Sequence, residues 1–282
     1  MARPSDVARL LRPVNGALMG LIVVVGALVA SRWRPPPAPS LAVGALVGFL
    51  LTGSAMVLND IADLEIDRIN DPDRPLPSGR VGVGEAWAIF AALSALGLGL
   101  AAANGLPELA LAAASYAVAV AYDLRGKRTG LPGNAMVAFT GVSPLLYGGL
   151  LAGAVTPALA LEALMVFLVM VGREVVKGVA DVEGDAARGV RTVAVSRGPA
   201  FASRLAAALV LSAVALSPLP AALRMADPAL YAPFVAAADA VFVHDSLQVL
   251  RSPTRRTALE VKNRWLVVAF PVALLGFALG AL

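Results

Sequence analysis

The sequence predicts an all-α integral membrane protein built as a bundle of nine transmembrane helices. Hydrophobic residues make up 59% of the 282-residue chain, and the mean hydropathy is +0.78, well outside the range of soluble globular proteins. Only 15% of residues are charged, and apolar runs of about 20 residues, the length of a membrane span, separate them. We expect residues 1–282 to form a single transmembrane domain.

Nine apolar segments follow one another along the chain. They are 13–31, 40–58, 84–103, 107–122, 131–151, 157–175, 199–217, 228–247 and 264–282. No small-residue cleavage site follows the first segment, so we interpret it as a retained span and not a signal peptide. The fourth is short for a bilayer, and the eighth contains Asp239, His244 and Asp245, whose roles the sequence leaves open.

The basic residues predict how the bundle is oriented. With nine crossings, 20 of the 23 Lys and Arg residues fall on the side of the N-terminus, and only Arg32, Arg34 and Arg224 fall opposite. Basic loops stay on the cytoplasmic side, so we expect a cytoplasmic N-terminus in the cell membrane and an active site facing the cytoplasm. The pI near 9.8 then reflects topology, and we expect no nucleic-acid partner.

Two residue counts exclude several chemistries. The chain has no cysteine and a single histidine, His244. Disulfides, thiolate metal sites and cysteine nucleophiles are therefore excluded, as are histidine-based triads and histidine-rich metal sites.

The first candidate constellation follows the second helix. It reads Asn-Asp-Ile-Ala-Asp-Leu-Glu-Ile-Asp-Arg over residues 59–68. If the helix continues, Asn59, Asp63 and Asp67 lie on one stripe. Carboxylates this close together repel unless a cation neutralises them, and hard oxygen ligands favour Mg²⁺.

The second constellation follows the sixth helix, where Asp181 and Asp185 repeat the four-residue spacing. Two acidic pairs on one membrane face indicate two metal positions. Because Mg²⁺ prefers one or two carboxylates together with phosphate oxygens, the pair of clusters is typical of a diphosphate site.

Basic residues near these clusters are candidate substrate ligands. Lys127 belongs to a cationic group at the end of the fourth helix that could meet phosphate oxygens, although a cytoplasmic anchor would look the same. Arg12 and Asn15 begin the first helix at the inner boundary and could line a substrate pocket; a snorkelling arginine is the alternative.

These motifs resemble the UbiA superfamily of intramembrane prenyltransferases, over essentially the whole chain. The family pattern N-D-x-x-D-x-x-x-D is matched by Asn59, Asp60, Asp63 and Asp67, and is followed by Arg-Pro-Leu-Pro-Ser-Gly over residues 74–79. Its D-x-x-x-D pattern is matched by Asp181 and Asp185.

The resemblance implies a nine-helix bundle in which Mg²⁺ bridges both motifs and an isoprenyl diphosphate, whose chain occupies an apolar tunnel. The implied metal ligands are Asn59, Asp60, Asp63, Asp67, Asp181 and Asp185. Asp63, Asp67, Asp181 and Asp185 would be catalytic, Lys127, Arg68 and Arg74 would bind the diphosphate, and Arg12 and Asn15 would bind the acceptor. No protein nucleophile and no obligate protein partner are expected.

Further residues resemble the archaeal ether-lipid branch of that family, which joins geranylgeranyl diphosphate to geranylgeranylglyceryl phosphate. They include Arg12-Pro-Val-Asn15 and Arg173-Glu-Val-Val-Lys177. The alternative is the branch that prenylates aromatic acceptors such as 4-hydroxybenzoate in quinone synthesis. A cation-coupled transporter is a remote alternative, since it predicts acids in the middle of the spans, whereas these acids cluster at helix ends.

Overall fold

The chain is all-helical in the computed structural model, which describes residues 3–187 and 189–282. The helices are α1 (Pro4–Leu11), α2 (Pro13–Ser31), α3 (Ala38–Ala62), α4 (Leu64–Asn70), α5 (Val83–Asn104), α6 (Leu106–Leu124), α7 (Leu131–Leu151), α8 (Pro157–Ala180), α9 (Val182–Ala187), α10 (Val193–Arg197), α11 (Pro199–Leu216), α12 (Leu219–Ala222), α13 (Pro228–Arg251), α14 (Arg255–Arg264) and α15 (Phe270–Gly280). A 3₁₀ turn, Gly126–Arg128, follows α6, and a π-helical segment, Trp265–Ala269, joins α14 to α15.

Each of the nine apolar segments predicted from the sequence coincides with a long helix of the described residues. Six of these helices are long and apolar enough to cross a membrane, namely α2, α3, α5, α7, α11 with α12, and the continuous helix Arg255–Gly280. The other three, α6, α8 and α13, carry more polar side chains. The all-helical fold is thus confirmed, and the number of crossings stays a prediction.

The predicted start of the last helix was wrong. The helix begins at Arg255, nine residues before the expected position, because its polar first turns fall below any apolar threshold. Leu266, in the π segment that follows, lines a cavity inside the bundle. A π segment shifts side chains relative to a regular helix, which an amphipathic pattern cannot reveal.

Successive long helices pack side by side and close into a ring. Helix α2 packs on α3, α3 on α5, α5 on α6, and so on through α7, α8, α11 and α13 to α15, which returns to α2. Helix α2 also crosses α7, which ties the two halves of the ring together. The long helices therefore surround a common interior.

Glycines allow the crossing of α2 and α7. A Cβ added at Gly148 would lie 2.0 Å from the carbonyl oxygen of Val23, and one added at Gly26 would lie 2.0 Å from that of Leu145. Small residues at such crossings let two membrane helices approach to backbone contact, where packing and not the hydrophobic effect holds them together.

Asp239 and Asp245, two of the α13 residues whose roles the sequence leaves open, contact side chains of other segments. The carboxylate of Asp245 is fully buried and pairs with Arg264 at 2.8 Å, which joins α13 to the end of α14. Asp239 accepts a hydrogen bond from Ser217. Both acids therefore link helices of the second half, outside the acidic motifs.

We expect Gly148→Ala to destabilise the bundle, because its methyl group must displace a backbone carbonyl and not a flexible side chain. Overpacking of this kind costs about 1–3 kcal/mol. The midpoint of thermal unfolding in detergent should fall measurably. The matched control is Gly99→Ala in α5, where an added Cβ meets nothing within 4 Å; equal losses in both variants would contradict close packing at Gly148.

Candidate functional site

The first acidic motif lies at a break between two helices. Helix α3 ends at Ala62, Asp63 adopts φ −94° and ψ 4°, and α4 begins at Leu64. The helix therefore does not continue unbroken through the motif, which was the condition on which the sequence placed Asn59, Asp63 and Asp67 on one stripe. Asn59, Asp63 and Asp67 nevertheless stay on one face, because the Asp63 N–H donates to the Asn59 carbonyl at 3.0 Å and the Asp67 N–H donates to the Asp63 carbonyl at 2.8 Å.

The second motif repeats this local structure. Helix α8 ends at Ala180, Asp181 adopts φ −104° and ψ 8°, and α9 follows. The N–H of Asp181 bonds the Lys177 carbonyl at 3.0 Å, and the N–H of Asp185 bonds the Asp181 carbonyl at 2.9 Å. Each motif therefore presents an aspartate at the end of a long helix and a second one turn later.

Arginines neutralise the buried acids of the first motif. The carboxylate of Asp60, a residue only 2% exposed, pairs with Arg12 at 2.6 Å and lies 3.7 Å from Arg74. Arg74 also pairs with Asp67 at 2.6 Å and with Asp71 at 2.9 Å. Burial alone would lower the pKa of Arg74, but these acids, Asp67 foremost, raise it above its usual value, so the arginine stays charged.

Lys127 connects the first motif to the end of α6. Its Nζ lies 2.8 Å from the carboxylate of Asp63 and 3.3 Å from that of Asp123. The side-chain amide of Asn59 donates to Asp123 at 3.0 Å. Asp123 thus holds both Asn59 and Lys127, a role that the sequence analysis missed although the four-residue spacing of Asp123 and Lys127 was a usable signal.

A charged triad precedes the second motif on α8. The buried carboxylate of Glu174 pairs with Arg173 at 2.7 Å and lies 3.5 Å from Lys177. The phenol of Tyr122, at the end of α6, interacts electrostatically with Lys177 and Glu174 and also with Asp63 and Asp123. Tyr122 therefore lies between the two charged clusters. The sequence analysis gave none of these α8 residues a role.

The remaining predicted site residues are exposed or half-buried. Arg68 pairs with Glu65 at 2.6 Å, and both side chains are more than half exposed. Asp181 and Asp185 are half-buried. Asn15 is largely exposed and lies in the wall of the cavity described next.

The oxygen-bearing side chains of the two motifs are the candidate ligands for the Mg²⁺ that the sequence implies. Within residues 3–187 and 189–282, no three acidic or histidine side chains gather closely enough to hold a metal alone. That arrangement fits Mg²⁺, which is usually held by one or two carboxylates together with substrate phosphates. The donor atoms of the two motifs are all oxygens, and the carboxylates of Asp63 and Asp67 pair with Lys127 and Arg74.

A cavity of about 360 Å³ lies inside the bundle, and none of the aspartates of the two motifs is among its lining residues. Near the motifs its wall includes Met56 of α3 and Arg173 of α8. Its other end reaches Tyr147 of α7, whose hydroxyl accepts a hydrogen bond from Asn104 at the far end of α5. Most of the lining is apolar, which suits a hydrocarbon chain whose charged head lies at the motifs.

Comparison with known sequences identifies close relatives. A profile of the UbiA prenyltransferase family matches residues 19–279. The chain is 36% identical over 279 residues to the digeranylgeranylglyceryl phosphate synthase of Methanothermobacter thermautotrophicus, covering 96% of this chain and 94% of that one. It is 34% identical over 281 residues to the enzyme of the same name from Archaeoglobus fulgidus, with the same two coverages.

Solved structures have the same fold. One, from a study of digeranylgeranylglyceryl phosphate synthase in membranes, is 31% identical with a TM-score of 0.85 and 98% coverage of both chains. An apo UbiA homologue from Aeropyrum pernix is 25% identical, with a TM-score of 0.78 and coverages of 93% and 96%. An Archaeoglobus fulgidus UbiA homologue bound to GPP and Mg²⁺ is 18% identical, with a TM-score of 0.74 over 98% of this chain and all of that one.

We expect Asp60→Ala to destabilise the protein, because it leaves Arg12 and Arg74 without their buried partner. Both arginines are about one-third exposed, so the cost should be about 1–3 kcal/mol, below that of a fully buried pair. Thermal unfolding in detergent measures it. Glu65→Ala removes an acid of the same motif from an exposed pair and should change stability little; an equal loss there would refute the buried role of Asp60.

Proposed function

Because the chain belongs to the UbiA prenyltransferase family, we propose that it transfers a geranylgeranyl group from geranylgeranyl diphosphate to geranylgeranylglyceryl phosphate in archaeal ether-lipid synthesis. The observation that carries the proposal is the pair of helix ends, each with two aspartates one turn apart, together with a mostly apolar cavity inside the same bundle. Charged groups at one end and hydrocarbon-lined space at the other match a prenyl diphosphate.

The charged end recruits the leaving group. Asp63, Asp67, Asp181 and Asp185 supply carboxylate oxygens, with Asn59 and Asp60 in the same motif, and when Mg²⁺ is bound to these groups it neutralises the developing charge of the diphosphate. Lys127 is the best-placed cation to donate to phosphate oxygens, because it already lies at Asp63. Arg74 and Arg68 extend the positive surface outward.

The chemistry needs no protein nucleophile. The bond between carbon one of the donor and its diphosphate oxygen breaks, and diphosphate leaves with the electron pair. The acceptor hydroxyl oxygen forms the new bond to carbon one and loses its proton. The apolar cavity excludes water, which would otherwise compete with the acceptor for the electron-poor carbon.

The relatives favour the lipid acceptor over an aromatic one. Eight similar curated proteins are all digeranylgeranylglyceryl phosphate synthases. Because the chain belongs to a family of prenyltransferases, we discard the transporter alternative in favour of an enzyme. We therefore retain 4-hydroxybenzoate only as the competing acceptor in the assay below.

We further propose that the chain crosses the cell membrane nine times, with its N-terminus and active site facing the cytoplasm. Six helices meet the length and hydropathy expected of spans, and the basic loops supply the orientation. Residues 1–282 form one domain, which acts without an obligate protein partner.

Purified protein in detergent should transfer the geranylgeranyl group to geranylgeranylglyceryl phosphate in the presence of Mg²⁺, and EDTA should abolish the transfer. 4-Hydroxybenzoate, offered in parallel, should give no product. Prenylated benzoate alone would move the protein to the aromatic branch.

The variants Asp63→Asn and Asp181→Asn test the mechanism within that assay. Each variant keeps the size of the side chain but removes one negative charge from the proposed metal site. Turnover should therefore fall at least about a hundredfold while the protein stays folded. Ser212→Ala, on an exposed face of α11 outside both motifs, is the control and should retain full turnover. Retained turnover in either aspartate variant would remove that residue from the mechanism.

The absence of cysteine permits a direct test of orientation. Single substitutions Ser78→Cys and Ala154→Cys place a thiol in exposed connections at opposite ends of the helices. A membrane-impermeant maleimide should label Ala154→Cys in intact cells and Ser78→Cys only after the cells are broken. The reverse pattern would overturn the proposed orientation.

A further inference from the structure

One charged residue lines the cavity of the part of the chain that the structure describes, and it is Arg173. We propose that Arg173 binds the phosphate of the lipid acceptor and that Glu174 holds it in position. This inference rests on the proposed function and names the recognition of its second substrate. Glu174 balances the charge of Arg173, and an arginine that keeps a free donor in the wall of an otherwise uncharged cavity can still bind a phosphate.

The guanidinium of Arg173 is fixed in place before any ligand binds. Its Nη1 donates to Glu174 at 2.7 Å, and its Nε donates to the backbone carbonyl of Lys262 at 3.3 Å. None of the hydrogen bonds found among the described residues uses Nη2. Two anchored edges and one available edge give a preorganised donor, which loses little conformational entropy when it binds a phosphate.

Glu174 couples this site to the donor site. The same carboxylate lies 3.5 Å from Lys177, and Lys177 interacts electrostatically with Asp181 of the second motif. Arg173 and Lys177 lie four residues apart on one face of α8, a separation of about 6 Å along the helix. Two anions held one turn apart would bring the hydroxyl of a glycerol phosphate close to carbon one of a diphosphate donor.

Arg12, the arginine assigned to the acceptor on the basis of sequence, has a different partner. Its guanidinium lies against Asp60 at 2.6 Å, and Arg12 is not among the residues of the cavity wall. Asn15 of the same turn does line the cavity, as does Leu266 of the π segment. The acceptor head would therefore lie between α2, α8 and the π segment, with its positive charge supplied from α8.

Arg173→Gln tests the proposal with two acceptors, geranylgeranylglyceryl phosphate and the same lipid without its phosphate. In the variant, the KM for the phosphorylated acceptor should rise about tenfold or more, as expected for loss of a charged hydrogen bond. The KM for the donor should stay within about twofold of that of the unaltered protein. Preference for the phosphorylated acceptor should fall by the same factor as its KM rises.

A merely structural role would give another result. If Arg173 only joins α8 to α14, then both acceptors should suffer equally, and that outcome would overturn the proposal. An unchanged KM for the phosphorylated acceptor would overturn it as well. Arg173→Lys keeps the charge without the anchored fork and should recover part of the preference. Arg256→Gln removes an exposed arginine paired with Glu260 outside the cavity and should change neither KM.

Direct binding separates this inference from the proposed reaction. The dissociation constant of the phosphorylated acceptor is measured by calorimetry in detergent with EDTA and without donor. Binding weakened about tenfold by Arg173→Gln supports the site even if the protein transfers no prenyl group. Transfer with unchanged acceptor binding in Arg173→Gln overturns the site and leaves the reaction standing. Failure of the unaltered protein to bind this lipid overturns both.

Discussion

Electrostatic neutralisation at the membrane boundary is the constraint on which this structure depends. Carboxylates at the end of a membrane helix repel one another and lose solvation, so each needs a cation nearby. The carboxylate of Asp60 pairs with Arg12 and lies near Arg74. Asp67 also pairs with Arg74, and Asp63 pairs with Lys127. These pairs draw the start of α2, the turn after α4 and the end of α6 together around one motif. The ion pairs that stabilise the fold thus also gather the cations that a diphosphate requires.

Two helix breaks give the site its form. At Asp63 and at Asp181 the backbone leaves helical geometry with nearly the same dihedral angles, while hydrogen bonds across the break keep the next aspartate on the same face. The two motifs therefore have the same local backbone structure. Tyr122 lies within electrostatic range of the charged residues around both motifs.

The proposed roles of the two substrates fall on separate sets of contacts. Asp63, Lys127 and Asp123 form one set, contributed by the ends of α3 and α6 and the turn after α6, and we propose that it meets the leaving group. Arg173 and Glu174 form another within α8, and Arg173 faces the cavity. The two sets share no residue. On the proposed function, selectivity for a phosphorylated acceptor could therefore change without loss of the aspartate motifs.

The sequence by itself determined the helical class, the approximate limits of the long helices and the two aspartate motifs. Each of these is set by local properties, namely apolar length, loop charge and four-residue spacing. Only the tertiary structure decided which charges meet, since Lys127 and Asp63 are 64 residues apart and Arg12 and Asp60 are 48 apart. The packing of the helices also places the Arg12 guanidinium against Asp60 and places Arg173 in the cavity wall. Pairing of this kind depends on how distant helices pack, and no local pattern encodes it.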